Sequence, residues 1–119
     1  MNPDLSARTG ARLVSADRVQ GTAVFNRDGE RLGTIDKVFI DKVSGQAEFA
    51  SMAFGGVLGV GAKHHPLPWT VLVYDPAQEG FVVDLDKKIL DESPSYDDDR
   101  LSGSDVSWAQ EVRGHFGIA

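Results

Sequence analysis

Val19-Gln20-Gly21-Thr22-Ala23-Val24-Phe25-Asn26, the tetrad Arg27-Asp28-Gly29-Glu30, and the run from Leu32 to Asp41 together decide the fold class. The first and last pieces read as strands. Asp-Gly between two such runs is the strongest short-range signal for a hairpin, because Gly supplies a positive φ at no steric cost. In the return run the apolar positions Ile35, Val38 and Ile40 do not keep one two-residue phase, which slips between 35 and 38. A bulge near Asp36-Lys37 absorbs that slip and bends the strand, as a small barrel requires.

Outward from this hairpin the pattern repeats. Asp41-Lys42-Val43-Ser44-Gly45 reads as a turn, and Gln46 to Phe54 as a strand with apolar residues on both faces. A glycine-rich stretch, Gly55 to Gly61, leads to a strand over Leu67 to Tyr74, with Pro68 marking an edge or bend. Asp75 to Gly80 is a turn, and Phe81, Val83 and Leu85 alternate with Val82 and Asp84 on a final strand. Regularly spaced short strands with polar turns predict an all-β barrel or sandwich, and no helix is required before Asp86. Asp86 to Leu90 reads as a short helical turn and Ser93 to Arg100 as loop. Ser102 or Ser104 is placed to cap a last helix, with Asp105 three residues after Ser102. Trp108, Val112 and His115/Phe116 form its apolar face, and Gly114 and Gly117 end it.

The 119 residues are 41% hydrophobic and 25% charged, which excludes wholesale disorder and a fibrous chain and fits one domain. No apolar run reaches the roughly 18 residues of a membrane span, and Met1 to Arg8 lacks the apolar stretch of a secretory signal. With no Cys, disulfides, thiolate metal sites and a cysteine nucleophile are excluded. The formal charge of −6 is uneven: Met1 to Tyr74 holds eight basic and seven acidic residues, Asp75 to Asp105 three basic and ten acidic. Such an acidic pole repels phosphate backbones and suits a basic protein partner or plain solubility.

The glycine run shows no GxGxxG opening a long helix and no Gly-Lys-Ser/Thr, so the glycines read as backbone-geometry residues. His64 and His65 are adjacent and point to opposite strand faces, and no helical metal pattern accompanies them or His115. Counting from Asp97, the sixth and twelfth positions are Ser102 and Trp108 where an EF-hand loop needs Gly and Glu, so Asp97-Asp98-Asp99 reads as a solvated acidic loop. There is no GxSxG elbow. The expectation is a non-enzyme without metal or cofactor.

In order, these features resemble the PRC-barrel family, which includes the cytoplasmic domain of the photosynthetic reaction-centre H subunit and the C-terminal domain of the ribosome-maturation factor RimM. The resemblance runs through Val14 to Asn26, Asp28 to Ile35, Phe39-Ile40-Asp41, Ser44-Gly45, the glycine run Gly55 to Lys63 and Pro68-Trp69, and reaches the helix Trp108 to Gly117. It implies a mainly β fold: a small, strongly bent barrel of about six strands with a short C-terminal helix. The domain layout expected is an arm over 1–13, a barrel core over 14–92, and an acidic loop and packing helix over 93–119. Gly29, Gly33, Asp41, Gly45, Gly55, Gly56, Gly59, Gly61, Pro68 and Trp69 are then structural motif residues.

The resemblance further implies a protein-interaction or assembly module. The exposed edges of a small barrel fit pairing with itself, as a homodimer, or with another protein. The acidic pole disfavours direct nucleic-acid contact, and the expected location is the cytoplasm. Asp97, Asp98, Asp99, Trp108 and Phe116 are the candidate partner surface, the two aromatics either facing a partner or packing within the chain. Two other roles follow from the relatives: an H-subunit-like part in photosynthetic electron transport and proton delivery, or ribosome-assembly support through a basic ribosomal protein.

Overall fold

A computed structural model describes residues 13–54, 63–85 and 87–117. Its elements are α1 (Ala16–Val19), β1 (Ala23–Asn26), β2 (Arg31–Ile40), β3 (Ala47–Phe54), β4 (Lys63–Pro68), β5 (Leu72–Asp75), β6 (Gly80–Val83), α2 (Lys87–Asp91), α3 (Asp98–Ser102) and α4 (Trp108–Phe116). The strands form one six-stranded sheet in the order β4-β3-β2-β1-β6-β5, curled as a half-barrel. Neighbours are antiparallel except β1 and β6, which run parallel.

Both hairpin turns form as the sequence predicts. Gly29 and Gly45 adopt φ of +85° and +78°, the left-handed region where a Cβ is strained. Asn26 organises the first turn: its Oδ1 accepts from the amides of Asp28 and Glu30, both at 2.9 Å. Asp41 does the same in the second, its Oδ1 accepting from Val43 N at 2.7 Å and Ser44 N at 3.1 Å. Those two bonds, Ser44's first, hold the Asp41 carboxyl below its ordinary pKa.

The expected bulge is present. The β2–β3 register shifts between Ile35 and Lys37, and Ser51 Oγ accepts from Lys37 N at 3.1 Å, giving the displaced amide a buried partner. β3 is buried on both faces, which explains its apolar residues on either side. Ala50 and Met52 enter one cluster with Val24, Ile35, Leu67, Phe81, Val83 and Leu90. Phe49 enters a second with Leu101, Trp108 and Val112, and Phe116 packs against both.

Four details differ from the sequence reading. The first strand begins only at Ala23, because Ala16–Val19 forms a helical turn, so a helix does precede Asp86. The strand expected over Leu67 to Tyr74 is broken: Pro68 ends β4, and Trp69–Val71 make a 3-10 turn that redirects the chain into β5. Part of the loop expected over Ser93 to Arg100 is helix α3, because Asp97 Oδ1 accepts from Arg100 N at 2.8 Å as an N-cap. The last helix is preceded not by Ser102 or Ser104 but by Ser107, and Gly114 lies within it; Gly117, at φ +71°, terminates it.

Candidate functional site

The β2 bulge displays Asp36 and Lys37 side by side, where β4 and α3 converge. Lys37 Nζ lies 3.1 Å from Asp36 Oδ2 and 2.5 Å from Asp98 Oδ1, the first residue of α3. His64 Nδ1 approaches Asp36 Oδ2 at 3.5 Å from β4. The hydrogen bond to Asp98 is the main reason the Lys37 pKa is raised, against an opposing effect of burial, and the same bond lowers that of Asp98. One lysine thus neutralises two carboxylates beside an imidazole.

The C-terminal segment covers this end of the sheet. His64 N donates to Tyr96 O at 3.3 Å and Tyr96 N to His64 O at 2.9 Å, so Tyr96 pairs with the outer side of β4 and covers that edge at His64. The Tyr96 hydroxyl donates to Glu111 Oε1 at 3.1 Å; burial first, then Glu111, pushes its pKa up to about 12. Trp108 meets Phe39 and Phe49 edge-on, with ring centroids 4.7 and 5.4 Å apart. Arg113 lies over the other aromatic, Phe49, at 5.0 Å.

Of the candidate partner residues, Trp108 is 1% exposed and belongs to the core, which excludes it from a docking surface of the folded monomer. Phe116 is half-buried under both clusters. Asp97 is exposed but serves as a cap, Asp98 pairs with Lys37, and Asp99 is exposed. The acidic triplet and the aromatics therefore form no single surface.

His65 points to the face opposite His64, as strand alternation dictates, and is 2% exposed. Its Nδ1 lies 2.8 Å from Ser93 Oγ, which itself donates to Leu90 O at 2.6 Å. Because the hydroxyl proton is committed to Leu90, His65 Nδ1 must be the donor to Ser93. That polarity is opposite to what a serine nucleophile needs, and Ser93 is itself buried. Burial foremost, then the positive charge of Lys63, lowers the His65 pKa.

Two of the surface grooves among the described residues bear on these elements. One, of about 460 Å³, runs beside α4 between Phe39, Ile40, Glu48, Val106 and Arg113. The other, of about 510 Å³, lies at the far sheet edge along β5, between Val71, Val73, Tyr74, Val82 and Leu85, with Arg27 and Asp84 paired at 3.0 Å on its rim. Val73 and Tyr74 are 64% and 45% exposed there.

A family model of the PRC-barrel domain matches residues 12–90. The chain belongs to the PRC-barrel family. Among solved structures, it is similar to a protein from Pseudomonas aeruginosa described as a 16S ribosomal RNA processing protein, RimM. The two are 19% identical, with a TM-score of 0.42 over 63% of this chain and 45% of that one, so this chain matches less than half of that protein's length. Comparison with curated proteins finds no match.

Within this PRC barrel the motif residues divide by position. Gly29, Asp41 and Gly45 build the hairpin turns, Gly33 pairs with Val24, and Pro68-Trp69 form the break before β5. Gly55, Gly56, Gly59 and Gly61 lie outside the described residues. The cluster of Asp36, Lys37, His64 and Asp98 escaped the sequence reading. Its members are far apart in the chain: the register pairing Ala53 with His64 and Ser51 with Lys37 gathers those on the sheet, and the bridge of Tyr96 to His64 brings in Asp98.

Proposed function

We propose that this PRC barrel is a non-catalytic interaction module that pairs with a second copy of itself along β5. The reading rests on the contrast between its two sheet edges. Tyr96 covers the β4 edge at His64, whereas β5 is an outer strand whose Val73 and Tyr74 are 64% and 45% exposed. An outer strand offers backbone donors and acceptors to an added strand, and a two-fold antiparallel pairing centred on Val73 sets the Val73 side chains of the two copies beside each other on one face. Charge opposes a second copy less here than over the chain as a whole, which carries −6: Arg27 and Asp84 pair on this rim, leaving Asp75 as the remaining acid of the groove.

The polarity of the buried His65–Ser93 pair argues against hydrolysis. Among the described residues no helix is long and apolar enough to cross a membrane. The H-subunit-like and ribosome-assembly roles gain nothing from the acidic triplet, because Asp97 and Asp98 are engaged within the chain.

The test is sedimentation velocity of the full chain up to about 100 µM, a concentration that reveals even weak self-association. A dimer is expected, with Val73→Lys monomeric and of unchanged circular dichroism. A wild-type chain that stays monomeric throughout, or a dimer that Val73→Lys leaves intact, overturns the proposal.

A further inference from the structure

We propose that Asp36, His64 and Asp98 form a binding site for a divalent transition-metal ion of the zinc type, which enters by exchange with the Lys37 ammonium. One donor atom from each of the three residues lies within 4.8 Å of the others. An imidazole with two carboxylates is a ligand set such ions accept, leaving a further position for water.

His64 carries the argument beyond a mere gathering of acids. Its side chain is 13% exposed, its Nδ1 is shut off from solvent, and that atom has no hydrogen-bond partner among the described residues. At 3.5 Å it faces Asp36 Oδ2. In the neutral ring protonated on Nε2, a lone pair on Nδ1 confronts an anionic oxygen. In that tautomer the pair is mutually repulsive until a cation stands between them. Lys37 supplies a cation to both carboxylates but forms no hydrogen bond with His64. A metal ion serves all three at once.

The exchange is sterically and electrostatically simple. Lys37 is 26% exposed at the surface, so its flexible stem carries the ammonium outward into water. Asp98 is 58% exposed at the start of a single-turn helix, so it can close the distance to metal–ligand bonds of about 2.0–2.2 Å. Two carboxylates and a dication leave the site neutral. Because the three ligands come from β2, β4 and α3, the bound ion clasps the C-terminal segment to the barrel.

The test uses the chelator-treated full chain titrated with Co²⁺, followed by visible absorption and by proton NMR of the histidines, with Zn²⁺ competition. One equivalent is expected to bind, with paramagnetic shifts on His64 and reversal by Zn²⁺. His64→Gln and, separately, the exposed Asp98→Asn should each weaken binding at least about tenfold, the loss typical of disturbing a metal site. Lys37→Met should tighten it about tenfold, the equivalent of one charge-assisted hydrogen bond no longer broken. Hydrogen exchange of the segment 96–102 should slow on metal addition, a readout independent of the spectra. The proposal is overturned if no stoichiometric binding occurs below about 1 mM, the weak end of biological metal affinities. Binding unaffected by His64→Gln, or seen only in Lys37→Met, overturns it equally, the latter making the lysine the permanent occupant.

Discussion

Trp108→Ala tests whether the molecule holds two separable cores. Trp108 is 1% exposed, and removing such a side chain usually costs about 3–5 kcal/mol through lost burial and the cavity left behind. Edge-on contacts with Phe39 and Phe49 place this site toward the upper part of that range. One effect works against it. The indole Nε1–H is buried with no hydrogen-bond partner among the described residues, and its removal returns about 1 kcal/mol of desolvation penalty. The expected net loss is about 3 kcal/mol. Its distribution matters more than its size, because Trp108 lies in the cluster of Phe49, Leu101 and Val112, apart from Val24, Ile35 and Val83.

Hydrogen exchange with mass spectrometry should therefore show protection falling about a hundredfold over residues 96–116, as about 3 kcal/mol implies. Peptides from β1 and β6 should change far less. Trp108→Phe keeps most of the ring packing and removes the unsatisfied donor, so its loss should stay near 1 kcal/mol. A uniform loss over every strand would refute the two-core reasoning, and a net loss below about 1 kcal/mol would refute the packing argument itself.

Gly80→Ala should destabilise by about 2–3 kcal/mol in urea unfolding, because a Cβ would sit 2.6 Å from the Ala23 carbonyl oxygen, which the parallel β1–β6 pairing holds in place. Asp97→Ala should cost about 1 kcal/mol by removing the cap on Arg100 N, seen as faster exchange of α3 alone. His65 has a folded pKa below its ordinary 6.5, so the unfolded chain binds the extra proton and stability must fall as pH drops through 6.5 towards the folded value. His65→Gln should flatten that part of the urea-midpoint profile; an unchanged slope between pH 7 and 5 would sink the assignment. Asp41, Asp75, Asp98 and Asp105 act in a lower window: their depressed pKa values give stability that is present above 3.8 and lost as pH falls below it.

What was legible in the sequence was mostly local. Asp28-Gly29 and Ser44-Gly45 announce turns because the φ of +85° and +78° they contain is a property of glycine itself. The phase slip from Ile35 to Val38 announces the bulge because side-chain alternation is a property of a single strand. Helix α3 is not legible in the sequence because one turn has almost no periodicity, and its only local sign, Asp97 as a cap, lies within a charge run. The candidate site was missed for a different reason. Asp36, His64 and Asp98 share no periodicity: sheet register brings Asp36 and His64 together, and the docking of the C-terminal segment on β4 at Tyr96 brings Asp98 to them.

The extra residue of the bulge links these levels. Without it, residues 36 and 37 would point to opposite faces of β2 and only one of them would reach the cluster. With it, Asp36 and Lys37 both turn toward Asp98, the displaced amide is satisfied by Ser51, and the strand bends toward a barrel. The curvature of the fold and the charge arrangement at its surface thus have one local cause. A substitution that restores regular pairing there must disturb both together. Deleting Asp36 should shift the register of Lys37 to Ile40 by one, turning Phe39 away from Trp108 and scattering the cluster in the same step.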